Sequence, residues 1–286
     1  MTQGDLRQRM MSAQKASTER HPKGGTEGTS PLSGQSTNET LFLITSGWKP
    51  VDICSGAAVF GMRRDTLNTW GSTQDERASQ ALASAMSAAV RRLEARCRES
   101  GAQGVIGTEI ITEIEPRYVA ISLVGTGIRP AHRSKEPDRP FTSNLSSRAF
   151  VLLVEAGWRP VGLASGGQFV RAYRRKPSQT AAQKIQNVEL ANPTKALARA
   201  RAETMVLLEE RARDFGGQGV IQLSFTSGPV AFAPRVLSFV AWGTAVTRTN
   251  TDPIYPSPRI AVALNDAEPA VDPASLGRAG TDRELT

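Results

Sequence analysis

Cysteine and histidine are nearly missing, with two of each in 286 residues. Two cysteines can neither staple a disulfide scaffold nor build a Cys-rich zinc module. Aromatic residues make up 6% of the chain, too few for the stacking platforms that single-stranded nucleic acids use. No apolar run approaches the ~18 residues of a membrane-spanning helix, so no transmembrane segment is expected. The Walker loop, the Gly-x-Ser-x-Gly elbow and the Rossmann fingerprint are also absent. What is present is a basic chain, 35 Lys+Arg against 27 Asp+Glu with a formal net charge of +8 and 39% hydrophobic residues. Its length suits one large domain or two ordinary ones.

The ends are poor in apolar periodicity. Residues 1–40, dominated from Ser12 onward by Gly, Ser, Thr, Gln and Lys, cannot bury enough apolar surface to offset chain entropy and are expected to form a disordered arm. No apolar stretch follows Arg7 and Arg9, so this is not a secretory signal, and a cytoplasmic protein is expected. Residues 250–286 carry Pro253, Pro256, Pro258, Pro269 and Pro273 and read as a Pro-rich disordered tail. Within 251–286, three Arg against six acids leave that tail at −3. Residues 131–147, with Pro137 and Pro140 among charged and small polar residues, read as a linker.

Between these segments the chain repeats itself. Ser46-Gly47-Trp48-Lys49-Pro50-Val51-Asp52-Ile53-Cys54-Ser55-Gly56 recurs as Ala156-Gly157-Trp158-Arg159-Pro160-Val161-Gly162-Leu163-Ala164-Ser165-Gly166. Gly101-Ala102-Gln103-Gly104-Val105-Ile106 recurs as Gly216-Gly217-Gln218-Gly219-Val220-Ile221, and the pair Gly125-Thr126 as Gly243-Thr244. The offsets of 110, 115 and 118 preserve order, which marks a duplication. Repeat 1 spans 41–130 and repeat 2 spans 148–249.

Both copies read as the same small α+β unit. An apolar run (Leu41–Thr45; Phe150–Val154) enters Gly-Trp as a short strand, and Pro50 or Pro160 holds the preceding residue extended. A second extended piece runs on to Ser-Gly. A long helix follows, with a capping box at Thr73–Glu76 in copy one and an Asn192-Pro193 start in copy two. Its apolar stripe is Leu82, Met86, Ala89, Val90, Leu93 and Cys97, or Leu197, Ala200, Thr204, Met205, Leu208 and Ala212. Gly101 and Gly216 are expected as left-handed caps. Two strands close each unit, Val105–Glu115 with Val119–Gly127, and Val220–Thr226 with Val236–Val246. Ile221, Leu223 and Phe225 alternate with polar residues as in a half-buried strand, whereas Val236–Trp242 is apolar almost throughout, as in a strand covered on both faces.

Gly157–Gly166, Ala196–Met205, Gly216–Ile221 and Gly243–Val246 together resemble the YbjQ-like family, commonly described as heavy-metal-binding. The resemblance covers both repeats and neither tail. It implies two tandem dodecin-subunit-like two-layer units, each with one long helix on an antiparallel sheet, and it implies ring-forming assembly. The chain departs from the family pattern at Gln103 and Gln218, where an acidic residue is usual, and at Met86, which stands where copy two has Arg201.

The chemistry is sparse. Cys54 and Cys97 are matched by Ala164 and Ala212 in the other copy, as small core residues would be. His21 and His132 lie outside both repeats, so no base is available there to activate a nucleophile. Glu109 and Glu113 share a strand face that solvent explains. The Gly-Thr pairs suggest a phosphate cradle less than strand positions where a neighbour approaches closely. From residue 171 to 201 eight basic residues face Glu189 alone. Arg171, Arg174, Arg175 and Lys176 are the candidate anion contacts, for nucleic acid or an anionic membrane surface. Trp48 and Trp158 occupy equivalent positions and are candidate packing or assembly anchors.

The leading expectation is a non-enzymatic, homo-oligomeric binding or scaffold protein with no cofactor and an unidentified small ligand. The alternatives are a basic module using residues 171–201, and the metal-ion binding that the resemblance implies. Whole two-repeat chains cannot fill an odd ring of single repeats. Five chains could stack two five-repeat rings, or three could form a six-repeat ring, and a linker of ~18 residues reaches up to about 60 Å.

Overall fold

The computed structural model describes residues 33–62, 72–132, 137–172 and 191–249. In chain order the first half contains α1 (Thr37–Thr45), β1 (Trp48–Gly61), α2 (Ser72–Glu99), β2 (Gly104–Glu115) and β3 (Tyr118–Pro130). A two-residue β4 (Phe141–Thr142) precedes the second half, made of α3 (Ser147–Glu155), β5 (Trp158–Arg171), α4 (Ala191–Asp214), β6 (Gly219–Val230) and β7 (Ala233–Arg248). The fold is α+β, with four helices and two sheets among the described residues. The expected arm (1–32 of it) and the Pro-rich tail lie outside the described residues.

The apolar runs before Gly-Trp are helices, not strands. Ser36 is extended at φ −63° and ψ 160°, and its hydroxyl accepts from the Glu39 amide while the Glu39 carboxylate accepts from the Ser36 amide at 3.2 Å. Two orphan N–H groups are thereby satisfied and α1 begins. Ser146 does the same for α3 by accepting from the Ala149 amide at 3.3 Å. Short apolar runs are ambiguous by periodicity, and these local caps decide them. Gly47 and Gly157, at φ 82° and 77°, then turn the chain into β1 and β5 in a region that non-Gly residues avoid.

The strands pair in the orders β1-β3-β2-β4 and β5-β7-β6, antiparallel except for the parallel β2–β4 contact. Registers slip at equivalent places, between Pro50 and Asp52 and between Pro160 and Gly162, then between Ile106 and Glu109 and between Ile221 and Ser224. The two halves thus share element order, strand order and bulge positions. Gly101 and Gly216, at φ 72° and 74°, end α2 and α4 as left-handed caps. The amides that follow, Ala102 and Gly217, bond back to Cys97 O at 3.1 Å and Ala212 O at 2.8 Å. The starts of these helices differ from expectation: α2 already includes Thr73, whose side chain lies outside the described residues, and α4 is under way at Ala191. Pro193 therefore sits in the first turn, where no N–H is needed.

Each long helix crosses its sheet over a glycine. A Cβ on Gly56 would collide with the backbone of Ala89 and Leu93, and one on Gly166 with that of Thr204 and Leu208. The stripe residues of α2 are buried as their spacing requires, from Leu82 to Cys97. α2 serves two sheets, however. Its second face packs on β5, where Leu82 and Met86 lie over Gly167 and the Ser79 hydroxyl accepts from the Phe169 amide at 3.0 Å. The largest core cluster accordingly joins Leu82, Met86 and Leu93 to Leu163, Phe169 and Trp242 of the second half. On the opposite face of the second sheet, Ala164, Ala241 and Ala245 pack with Leu208 and Ala212 of α4. The layers therefore run sheet, helix, sheet, helix, and β7 is covered on both faces as its unbroken apolar run demands.

The stretch read from composition as a linker is packed in its last third. Phe141 and Thr142 pair with Gly104 and Val105 of β2, and Thr142, Ser143 and Leu145 are buried. Two apolar residues among prolines and charges suffice, because the β2 edge offers unmet backbone groups.

Candidate functional site

Of the four residues that the sequence grouped as anion contacts, Arg171 falls within the described structure. Arg171 closes β5 opposite Val236, whereas Arg174, Arg175 and Lys176 lie outside the described residues. Lys195, Arg199 and Arg201 are exposed on α4, with Arg199 held by Glu203 at 2.6 Å. His132 is exposed on the loop after β3, Glu109 is exposed on β2 and Glu113 is half-buried there.

The two cysteines, far apart in sequence, meet in the first core. Cys54 lies 3.7 Å from the Ser100 hydroxyl and Cys97 Sγ faces Ala102 O at 3.5 Å, both thiols fully buried. A hydrogen bond between the pair pulls the Cys54 thiol down against the opposing effect of burial. That same bond, and then burial, pushes the Cys97 thiol far up. Such a pair is a buried packing contact with one thiol kept protonated. Among the described residues no group of three or more His, Cys, Asp or Glu side chains is placed to hold a metal ion. No described helix is long and apolar enough to cross a membrane.

The most constructed surface is the junction of the two halves. Residues 141–145 run along the outer edge of β2, where the Gly107 amide donates to Leu145 O at 2.7 Å and the Thr108 amide to Ser143 O at 3.1 Å. Gly107 has φ 60°, which turns both amides outward at the bulge. Behind this segment α3 inserts Phe150 and Val151 among Leu43, Ile106, Ile128 and Leu145. Trp48 meets Phe150 edge-on at 4.9 Å, and Phe141 stacks on the other side at 5.5 Å, geometries in which aromatic pairs attract beyond their burial. Trp48 thus sits where the halves join, while Trp158, its equivalent, is half-buried on the second half.

Two features of this junction go beyond the sequence reading. The hold exerted by the threonines of the Gly-Thr pairs is one; their glycines are the close-approach strand positions that the sequence led us to expect. A Cβ on Gly125 or Gly243 would press on Val105 or Val220 at 2.6 Å, so the glycines are close-approach positions on the central strand. Their threonines hold the segments before the short helices: Thr126 Oγ1 accepts from the Gly34 amide at 3.1 Å and Thr244 Oγ1 from the Asn144 amide at 3.2 Å. The recurrence of Thr beside Gly was the available signal. The other is Arg139, whose guanidinium grips Glu94 of α2 and lies over the Phe215 ring at 4.4 Å. Nothing in the local sequence announced it.

Where the first half is covered, the second is open. Leu223 and Phe225 on β6 are 40% and 58% exposed, although their alternation predicts a buried face. Leu41, Phe42 and Ile44 on α1 are also exposed.

Comparison with known proteins corrects the resemblance drawn from the repeated blocks. No family model matches the chain, and nothing in the comparisons points to the YbjQ-like family, so that resemblance and the heavy-metal-binding expectation that came with it are withdrawn. Over 230 residues the chain is 25% identical to an encapsulin nanocompartment protein of Mycobacterium tuberculosis, a match that spans 78% of this chain and 88% of the relative.

Proposed function

We propose that this protein is a non-enzymatic, cytoplasmic scaffold that associates with copies of itself and belongs to the setting named for its relative, a protein nanocompartment. The observation that carries this reading is the set of large apolar side chains left in solvent on α1, α3 and β6, from Leu41 and Ile44 to Leu152, Leu223 and Phe225. Large apolar side chains exposed together on one element, as Leu41, Phe42 and Ile44 on α1 or Leu223 and Phe225 on β6, mark association sites on folded proteins. The non-enzymatic part rests on the sequence, since neither repeat contains a histidine and, among the described residues, the buried cysteines meet each other, the Ser100 hydroxyl and the Ala102 carbonyl, none of which is a base for a thiol. Native mass spectrometry of the full chain at micromolar concentration tests the proposal. Species heavier than the 30.7 kDa chain are expected, and a monomer at every concentration would overturn it.

A further inference from the structure

The junction between the two halves is a template for a contact that the described residues do not repeat. Each side of it has an equivalent, fixed by the sequence offsets, on a surface more open to solvent.

The receiving side is the edge of β2, with Val105, Ile106 and Thr108 buried under residues 141–145. Its equivalent in the second half is the edge of β6, the last strand of its sheet. There Val220 and Ile221 are only half-buried, and Leu223, which stands for Thr108, is 40% exposed. Gln222 stands for Gly107 and keeps the same left-handed turn, φ 51° against 60°. A glutamine holds that backbone only against its own preference. The edge is therefore shaped as its covered counterpart is.

The inserting side is 143–145 with α3, and its equivalent is Ser33–Gln35 with α1. Both segments carry the same internal bonds. The Gln35 amide donates to Ser33 Oγ at 3.1 Å as the Leu145 amide does to Ser143 Oγ at 3.0 Å, and Thr126 holds Gly34 as Thr244 holds Asn144. Val151 is 3% exposed where α3 docks, but its counterpart Leu41 is 56% exposed. The sheet faces agree. Phe169, covered by α2, is 2% exposed, while its counterpart Val59 on the outer face of β1 is 65% exposed. Val206 on the uncovered face of α4 is 54% exposed, on the helix whose counterpart α2 does the covering.

We propose that copies of this chain join head to tail, the Ser33–Gln35 segment, α1 and the outer face of β1 in one copy docking on the β6 edge and outer face of α4 in the next. The proposal rests on the scaffold reading and names its interface. The Gln222 and Leu223 amides would donate to carbonyls of Gln35 and Ser33 in the neighbour, and Leu223 and Leu41 would be buried. Two different patches meet, so the contact is heterologous, and it repeats into a ring or an open fibre according to the rotation per copy.

Sedimentation velocity on the full chain, on Leu223→Arg, on Leu41→Arg and on an equimolar mixture of the two variants tests this. The wild type is expected to assemble. Each variant alone, with one end blocked, is expected to show at least tenfold less assembled material at the same concentration, with an unchanged far-ultraviolet spectrum. The mixture pairs the intact α1 end of Leu223→Arg with the intact β6 end of Leu41→Arg, so it is expected to yield a dimer and nothing larger. Wild-type assembly that persists in both variants, or a mixture that stays monomeric, removes this junction and leaves the scaffold reading standing. A monomeric wild type removes both.

Discussion

Arg139 holds the Glu94 carboxylate through both Nε and Nη2, at 3.1 and 2.7 Å, and Glu94 is only 7% exposed. Because Glu94 lies on α2 and the same guanidinium covers Phe215 beyond α4, one side chain ties the long helices of both halves together. Arg139 is itself about half exposed, which limits what the pair adds. Its removal nevertheless leaves a buried carboxylate without its partner. Arg139→Ala is expected to cost about 1–3 kcal/mol in urea unfolding, and Glu94→Gln less, since the amide preserves packing. A double-mutant cycle on the two positions should return a coupling energy of about 1 kcal/mol; strictly additive effects would show that the contact is ornamental.

The glycines under the helix crossings make a sharper prediction. A methyl group at Gly56 meets backbone atoms of Ala89 and Leu93, and one at Gly166 meets those of Thr204 and Leu208. Backbone cannot rotate away as a flexible side chain can. Gly56→Ala and Gly166→Ala should each destabilise by about 1–3 kcal/mol or more through overpacking, despite the usual gain from restricting the unfolded chain. Gly228, whose Cβ would meet nothing, supplies the control, and Gly228→Ala should leave the midpoint of unfolding within the range of surface substitutions.

How far the sequence reveals this molecule depends on the range of the interactions involved. The long helices, their apolar stripes and their Gly101 and Gly216 caps were legible because periodicity and left-handed turns are written locally. The helix at Leu41–Thr45 was not, because its apolar run is too short to show a period and Ser36 with Glu39 decides the matter just outside it. The partnership of Cys54 with Cys97 depends on how β1 crosses α2, which no spacing encodes. The exposure of Leu223 and Phe225 contradicts their alternating pattern for a different reason: alternation marks one face of a strand as apolar and does not say what, if anything, in the same chain covers it.

The left-handed turn at β6 offers a test of strain. Gln222 is the non-glycine residue with positive φ among the described residues, at 51°, where the first half has Gly107. Holding an L-residue there costs about 1–2 kcal/mol, while glycine would add unfolded-state entropy of about 0.4–1 kcal/mol. Gln222→Gly is therefore expected to stabilise the folded chain by about 0.5–1 kcal/mol in thermal or denaturant unfolding. Gln222→Val, β-branched and poorly tolerated at positive φ, should do the opposite, and equal midpoints for all three chains would argue against a strained turn.

The buried thiols predict how stability responds to alkali. When unfolded, both cysteines ionise near the ordinary thiol value of 9.0. When folded, Cys97 is held far above that value, first by its hydrogen bond to Cys54 and then by burial, while Cys54 is drawn below it by the same bond. Above pH 9 the unfolded chain has therefore released two thiol protons and the folded chain one. The sign follows: a raised pKa in the folded state confers stability that is intact below 9.0 and declines as pH rises. The decline should be about 1.4 kcal/mol per pH unit for the one retained proton. Lysine and tyrosine titrate nearby, so the comparison that isolates the pair is with Cys54→Ala/Cys97→Ala, which loses packing at every pH but should lack this added slope between pH 9 and 10.5. Parallel pH profiles for the two proteins would show that the thiols ionise alike in the folded and unfolded chains, and that the hydrogen bond between Cys54 and Cys97 does not govern their protons.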